Sequence, residues 1–213
     1  MIPFITEISK LQERLLLPFF IKLSRLQEQL MMNIGVEPTG DLERDFFTVY
    51  EKSRDYTLTP LKAMYAMYES AAYVVKGQIP GDFVECGVWK GGSAMIAALT
   101  FLQLNCVDRK FYLYDTFAGM PDVSARDEDL GSGPFQFAMN ITTLLRGGHS
   151  GVFYAPLEEV QQNMKTTGYP ARQIALVKGM VEQTIPGTVP NEIALLHLDS
   201  DLYQSCLLYT SPS

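Results

Sequence analysis

A doubly wound α/β fold built on a mainly parallel sheet is predicted by three observations. Short apolar runs at residues 83–86, 111–114, 174–177 and 193–198 alternate with helical stretches, the pattern of strands buried on both faces by helices. The stretch FVECGVWKGGSA, residues 83–94, reads as a buried strand that breaks into glycines and restarts as a helix. The chain of 213 residues, 47% hydrophobic and 19% charged, has the composition of an ordinary folded protein with a real core.

Taken in order, residues 4–34 read as an amphipathic helical arm interrupted at Pro18, with Leu23, Leu26, Leu30 and Ile34 at helical spacing. Its polar face carries both signs of charge, so a packed or dimer-forming arm, and with it a homo-oligomer, is expected over a membrane-surface helix. A linker at 36–40 closes this 1–40 segment. Thr59 and Pro60 then open a helix whose apolar face is Leu61, Met64, Tyr65, Tyr68, Ala72 and Val75, and Gly77 ends it. After the first strand, helices are expected at 93–104 and 156–166. Residues 118–155, between the second strand and the later helix, are too long for an ordinary connection and are a candidate lid.

Several functions are disfavoured by composition. A net charge of −7 without a Lys/Arg run leaves no footprint for nucleic acid. The three cysteines form neither a disulfide framework nor a CxxC pair. The apolar run at 15–21 is too short to span a bilayer and follows acidic residues, so neither a membrane span nor a signal peptide is expected. A cytoplasmic location fits.

The glycine turn carries the chemistry. In an open parallel sheet, ligands sit beyond the carboxyl ends of the strands, and the first strand-to-helix turn is the usual cradle. Gly87, Gly91 and Gly92 let a backbone approach a ligand, but their spacing matches neither the dinucleotide fingerprint nor a P-loop. A pyrophosphate is therefore disfavoured. Glu85 can face a cationic group, and Asp115, at the end of the second strand, can accept the hydroxyl protons of a ribose. S-adenosylmethionine meets both demands. The plain alternative is a turn that only packs helix against strand.

A second constellation is LLHLDSDLY, residues 195–203, in which His197, Asp199 and Asp201 share one strand face. Paired acids there can bind a hard cation, or divide into one ligand and one general base; helix capping is the plain alternative. For His197, between two leucines, the plain reading is a satisfied core histidine. His149 reads as a loop residue.

The ordered motifs VECGVWKGGS, FYLYDTFAGMPD, KGMVEQTIP and LHLDSDLY resemble the macrocin O-methyltransferase family, which includes sugar O-methyltransferases of the mycinamicin and aminocoumarin pathways. The likeness begins near Asp45, takes in YTLTPLKAMYAMYESAAYVV and ends at Ser205. It implies a class I, Rossmann-like methyltransferase fold, S-adenosylmethionine as donor, a divalent cation of the Mg2+ type, and a sugar hydroxyl as acceptor. By motif, Glu85, Gly87, Ser93 and Asp115 match cofactor-binding positions, Asp199 the first metal ligand, and Asp201 the general base. A non-catalytic adenosine-binding scaffold and an NAD-dependent oxidoreductase are the alternatives.

The family pattern continues past a fourth strand to a further strand bearing acids, so the sheet is expected to be incomplete after 193–198 and the methyltransferase domain, 41–205, to be truncated. Residues 206–213, CLLYTSPS, equal the translation of a sequencing-adapter end, TGT-CTC-TTA-TAC-ACA-TCT-CCG-AGC, and are read as a non-native tail. Such a fragment is expected to be inactive by itself.

Overall fold

The computed structural model describes residues 41–119, 153–185 and 187–200. The predicted arm at 1–40, most of the 118–155 insertion, His149, Asp201 and the 206–213 tail lie outside the described residues.

Four strands form one parallel sheet: β1 (Asp82–Cys86), β2 (Phe111–Asp115), β3 (Ile174–Lys178) and β4 (Ile193–Leu198), in the order β3-β2-β1-β4. The chain moves outward from β1 through β2 to β3, then returns to place β4 on the other side of β1. The switch point thus falls between β1 and β4, where the connections leave in opposite directions and open a crevice. Glu85 is in register with Leu113 on one side and His197 on the other.

The helices are α1 (Asp41–Ser53), α2 (Leu61–Lys76), α3 (Gly92–Gln103), α4 (Leu157–Thr166) and the single turn α5 (Val181–Thr184), with short 3-10 turns at Arg54–Tyr56 and Ala171–Gln173. α3 follows the glycine turn and is buried from Gly92 through Phe101, which is why its sequence is apolar all round. α1 and α2 pack on its outer side, with Phe46 against Tyr65 edge-on at 5.0 Å between ring centroids. In the core, Phe111 meets Phe83 at 4.8 Å and Tyr169 at 4.9 Å, and the Tyr169 hydroxyl donates to the Arg109 carbonyl at 2.9 Å.

The helices before the sheet differ most from the sequence reading. α2 begins at Leu61, with Pro60 as its cap residue at ψ 150° and the Pro60 carbonyl accepting the N–H groups of Ala63 and Met64. The helix 41–53 has no counterpart in the sequence reading; its apolar residues Phe46, Val49 and Tyr50 recur at helical spacing and are each buried. Among the described residues β4 is the outermost strand on its side, and its apolar Ile193, Leu196 and Leu198 are exposed.

Candidate active site

The cavity at the switch point is assembled from backbone first. Gly87 leaves β1 with φ +86°, and its N–H donates to the Tyr114 carbonyl at 3.0 Å. The chain leaving β4 crosses directly over it: a Cβ at Gly87 would lie on the Asp199 carbonyl oxygen and 2.7 Å from the carbonyl carbon. Asp199 in turn donates its N–H to the Cys86 carbonyl at 2.8 Å. At Gly92, a Cβ would meet the Tyr56 carbonyl oxygen at 2.7 Å. Packing therefore requires glycine at both positions, and the same close approaches bring residues 56–57 and Asp199 to the cavity wall.

Asp115, at the end of β2, ties this turn down. Its Oδ2 accepts the N–H groups of Val88 at 2.7 Å and Trp89 at 3.0 Å, and its Oδ1 accepts that of Phe117 at 2.8 Å. Trp89 and Phe117 both have positive φ, 47° and 50°, an uncommon conformation for bulky side chains that the shared carboxylate helps to hold. A carboxylate has about four acceptor sites, so three backbone donors still leave room for a ligand hydroxyl. Asp115→Asn should nevertheless destabilise the fold by about 2–4 kcal/mol, because an amide cannot accept from donors on both sides and charged acceptors are the stronger ones. Urea denaturation reads this directly; a change under about 0.5 kcal/mol would show that the three bonds contribute little.

Glu85 is 1% exposed and sits on β1 facing the cavity. Its Oε1 lies 2.8 Å from Nδ1 of His197, while Oε2 is buried with no hydrogen-bond partner among the described residues. Burial raises the Glu85 carboxyl above the usual carboxylate range, against the bond and charge of His197, which lower it. Burial acts to lower the His197 value, yet the bond and charge of Glu85 outweigh it and the imidazole is raised. Together the pair keeps a proton that two separate groups would lose at lower pH. Ser93 is buried in the same wall, its hydroxyl 3.9 Å from the Met64 sulfur.

Glu85, Gly87, Ser93, Asp115 and Asp199 all line one cavity of about 480 Å³. Asp201 lies outside the described residues. Three contributors were not legible as such: His197 as the partner of Glu85, Trp89, whose indole N–H is buried without a partner among the described residues, and the 56–60 wall. His197 is a satisfied histidine, as its plain reading expects, but it lines the cavity and does not sit in an apolar core. Among the described residues, no group of three or more His, Cys, Asp or Glu side chains converges as a metal site. No described helix is long and apolar enough to cross a membrane.

Comparison with known proteins agrees with this architecture. A family model described as Macrocin-O-methyltransferase (TylF) matches residues 19–209. The 8-demethyl-8-(2,3-dimethoxy-alpha-L-rhamnosyl)-tetracenomycin-C 4'-O-methyltransferase of Streptomyces olivaceus is 31% identical over 150 residues, 70% of this chain and 54% of that protein. Demethyldecarbamoylnovobiocin O-methyltransferase of Streptomyces niveus is 27% identical over 150 residues, 70% and 53% of the two chains. The chain spans about half the length of these curated relatives. The solved structure of the O-methyltransferase NovP superposes with a TM-score of 0.57 at 26% identity, covering 91% of this chain and 75% of that one. Because the family match takes in every described strand and helix and all the residues that line the cavity, the chain belongs to the macrocin O-methyltransferase family.

Proposed function

We propose that the protein transfers a methyl group from S-adenosylmethionine to a hydroxyl group, that of a sugar on a natural product. The observation that carries this reading is the buried Glu85 carboxylate, which lines the cavity beside the glycine turn and whose Oε2 has no hydrogen-bond partner among the described residues. An orphaned buried acceptor is costly unless a ligand donor meets it, and a cationic amine is the donor that such an acid favours. The Streptomyces olivaceus relative, named as a 4'-O-methyltransferase of a rhamnosyl-tetracenomycin, supports the acceptor class.

Glu85 would hold the amino-acid end of the donor, the turn from Gly87 would lie along it, and the remaining acceptor site of Asp115 would take a ribose hydroxyl. Ser93, at the start of α3, would line the same ligand. When bound, S-adenosylmethionine supplies an electrophilic methyl group on a sulfonium. The acceptor hydroxyl must lose its proton as it attacks, and Asp201 is the residue we assign as base. For a divalent cation the described residues do not suffice: Asp199 offers one carboxylate, Glu85 is turned to His197, and no third ligand joins them. The cation rests on the family resemblance alone, and no step is derived through it.

Trp89 is the only tryptophan in the chain, and it lines the cavity, so its emission reports on occupancy. Titration with S-adenosylhomocysteine should change the fluorescence saturably, while NAD should not compete. A saturable response to NAD with none to S-adenosylhomocysteine would replace the methyltransferase reading with the oxidoreductase one.

A further inference from the structure

The bond between Glu85 and His197 joins two strands at their switch point. The residues are register partners across the β1–β4 seam, and the imidazole is the single side chain bonded to the buried acid among the described residues. A glutamate has three side-chain torsions, so an unheld carboxylate could exchange its two oxygens or fold back from the cavity. The 2.8 Å contact to Nδ1 fixes Oε1 and leaves Oε2 as the oxygen that is buried without a partner among the described residues.

Among the described residues, no other wall side chain is bonded to the Glu85 carboxyl. Asp115 is engaged with backbone N–H groups, and Asp199 is a second acid. The described lining includes Glu85, Asp115 and Asp199 but no Lys or Arg, which suits a ligand group that is cationic and donates hydrogen bonds. The side chain of His197 is 26% exposed, so it forms part of the wall and not of the core.

We propose that His197 is a positioning residue for the ligand's amino-acid end: by holding Oε1 of Glu85 through Nδ1, it presents Oε2 to the ligand ammonium. The inference rests on the donor reading given above. Two probes separate the two claims. S-adenosylhomocysteine carries the amino-acid end, and 5'-methylthioadenosine lacks it.

His197→Leu should weaken S-adenosylhomocysteine about tenfold and 5'-methylthioadenosine less than about twofold, since one directed charge contact is lost. His197→Asn, whose amide can occupy the place of Nδ1, should restore affinity to within about threefold of the unmutated protein. Combined with Glu85→Gln, His197→Leu should add almost nothing further, the non-additivity expected of two groups that act as a unit. Should His197→Leu fail to fold, His197→Gln takes its place: its amide reaches toward Nε2, so bulk and polarity stay while the bond to Oε1 is lost, and the same selective weakening is expected. Equal weakening of both probes, or of neither, overturns the positioning role. If the unmutated protein binds neither probe, the donor reading itself fails.

Discussion

Replacing Asp201 by asparagine should lower methyl transfer by about two to four orders of magnitude while leaving donor affinity within about twofold. A sugar hydroxyl is a weak nucleophile at neutral pH, and its attack on the methyl group is completed only if something accepts the proton. Asparagine keeps the shape of the side chain but cannot take that proton. Asp201 follows two residues after Asp199, whose backbone is pinned to Cys86 at the mouth of the cavity. The measurement is single-turnover transfer from labelled S-adenosylmethionine in a form of the protein that turns over, with donor affinity read from Trp89 emission. Turnover of Asp201→Asn within about threefold of the unmutated enzyme would remove it as the base.

The sheet was legible because each of its strands is a short apolar run bounded by turn residues, and because the glycines of 87–92 mark the one strand-to-helix turn that must be tight. The cavity followed from that turn. The helix 41–53 was not legible: its buried positions, Phe46, Val49 and Tyr50, are spaced among charged residues in a segment whose average is polar. The pairing of Glu85 with His197 was out of reach for another reason. The two residues are 112 positions apart and meet only because β4 returns to the free side of β1, an order of strands that no local pattern encodes. The same holds for Asp115. Its acid at a strand end suggested a ribose, whereas its bonds to Val88, Trp89 and Phe117 depend on a turn conformation that places two bulky residues at positive φ.

Gly87→Ala should destabilise the fold by about 2–5 kcal/mol, the sum of about 1–2 for placing an alanine in the left-handed region and about 1–3 for forcing it against packed atoms. Gly168→Ala is the matched control, because Gly168 has φ +80° but nothing within 4 Å of an added Cβ. Only the conformational part should appear there, about 1–2 kcal/mol. The excess at Gly87 therefore measures how closely the chain leaving β4 passes over the end of β1. Relief at Gly87 requires moving the Asp199 backbone, since the colliding atoms are its carbonyl oxygen and carbon. That movement would also break the Asp199 N–H bond to Cys86 and shift the cavity wall. Gly87→Ala should accordingly weaken S-adenosylhomocysteine, and Gly168→Ala should not. Both substitutions can be compared by urea denaturation and by Trp89 titration. Equal destabilisation by the two would mean that β4 does not cross the β1 turn at contact distance, and Asp199 would then lose its place at the site.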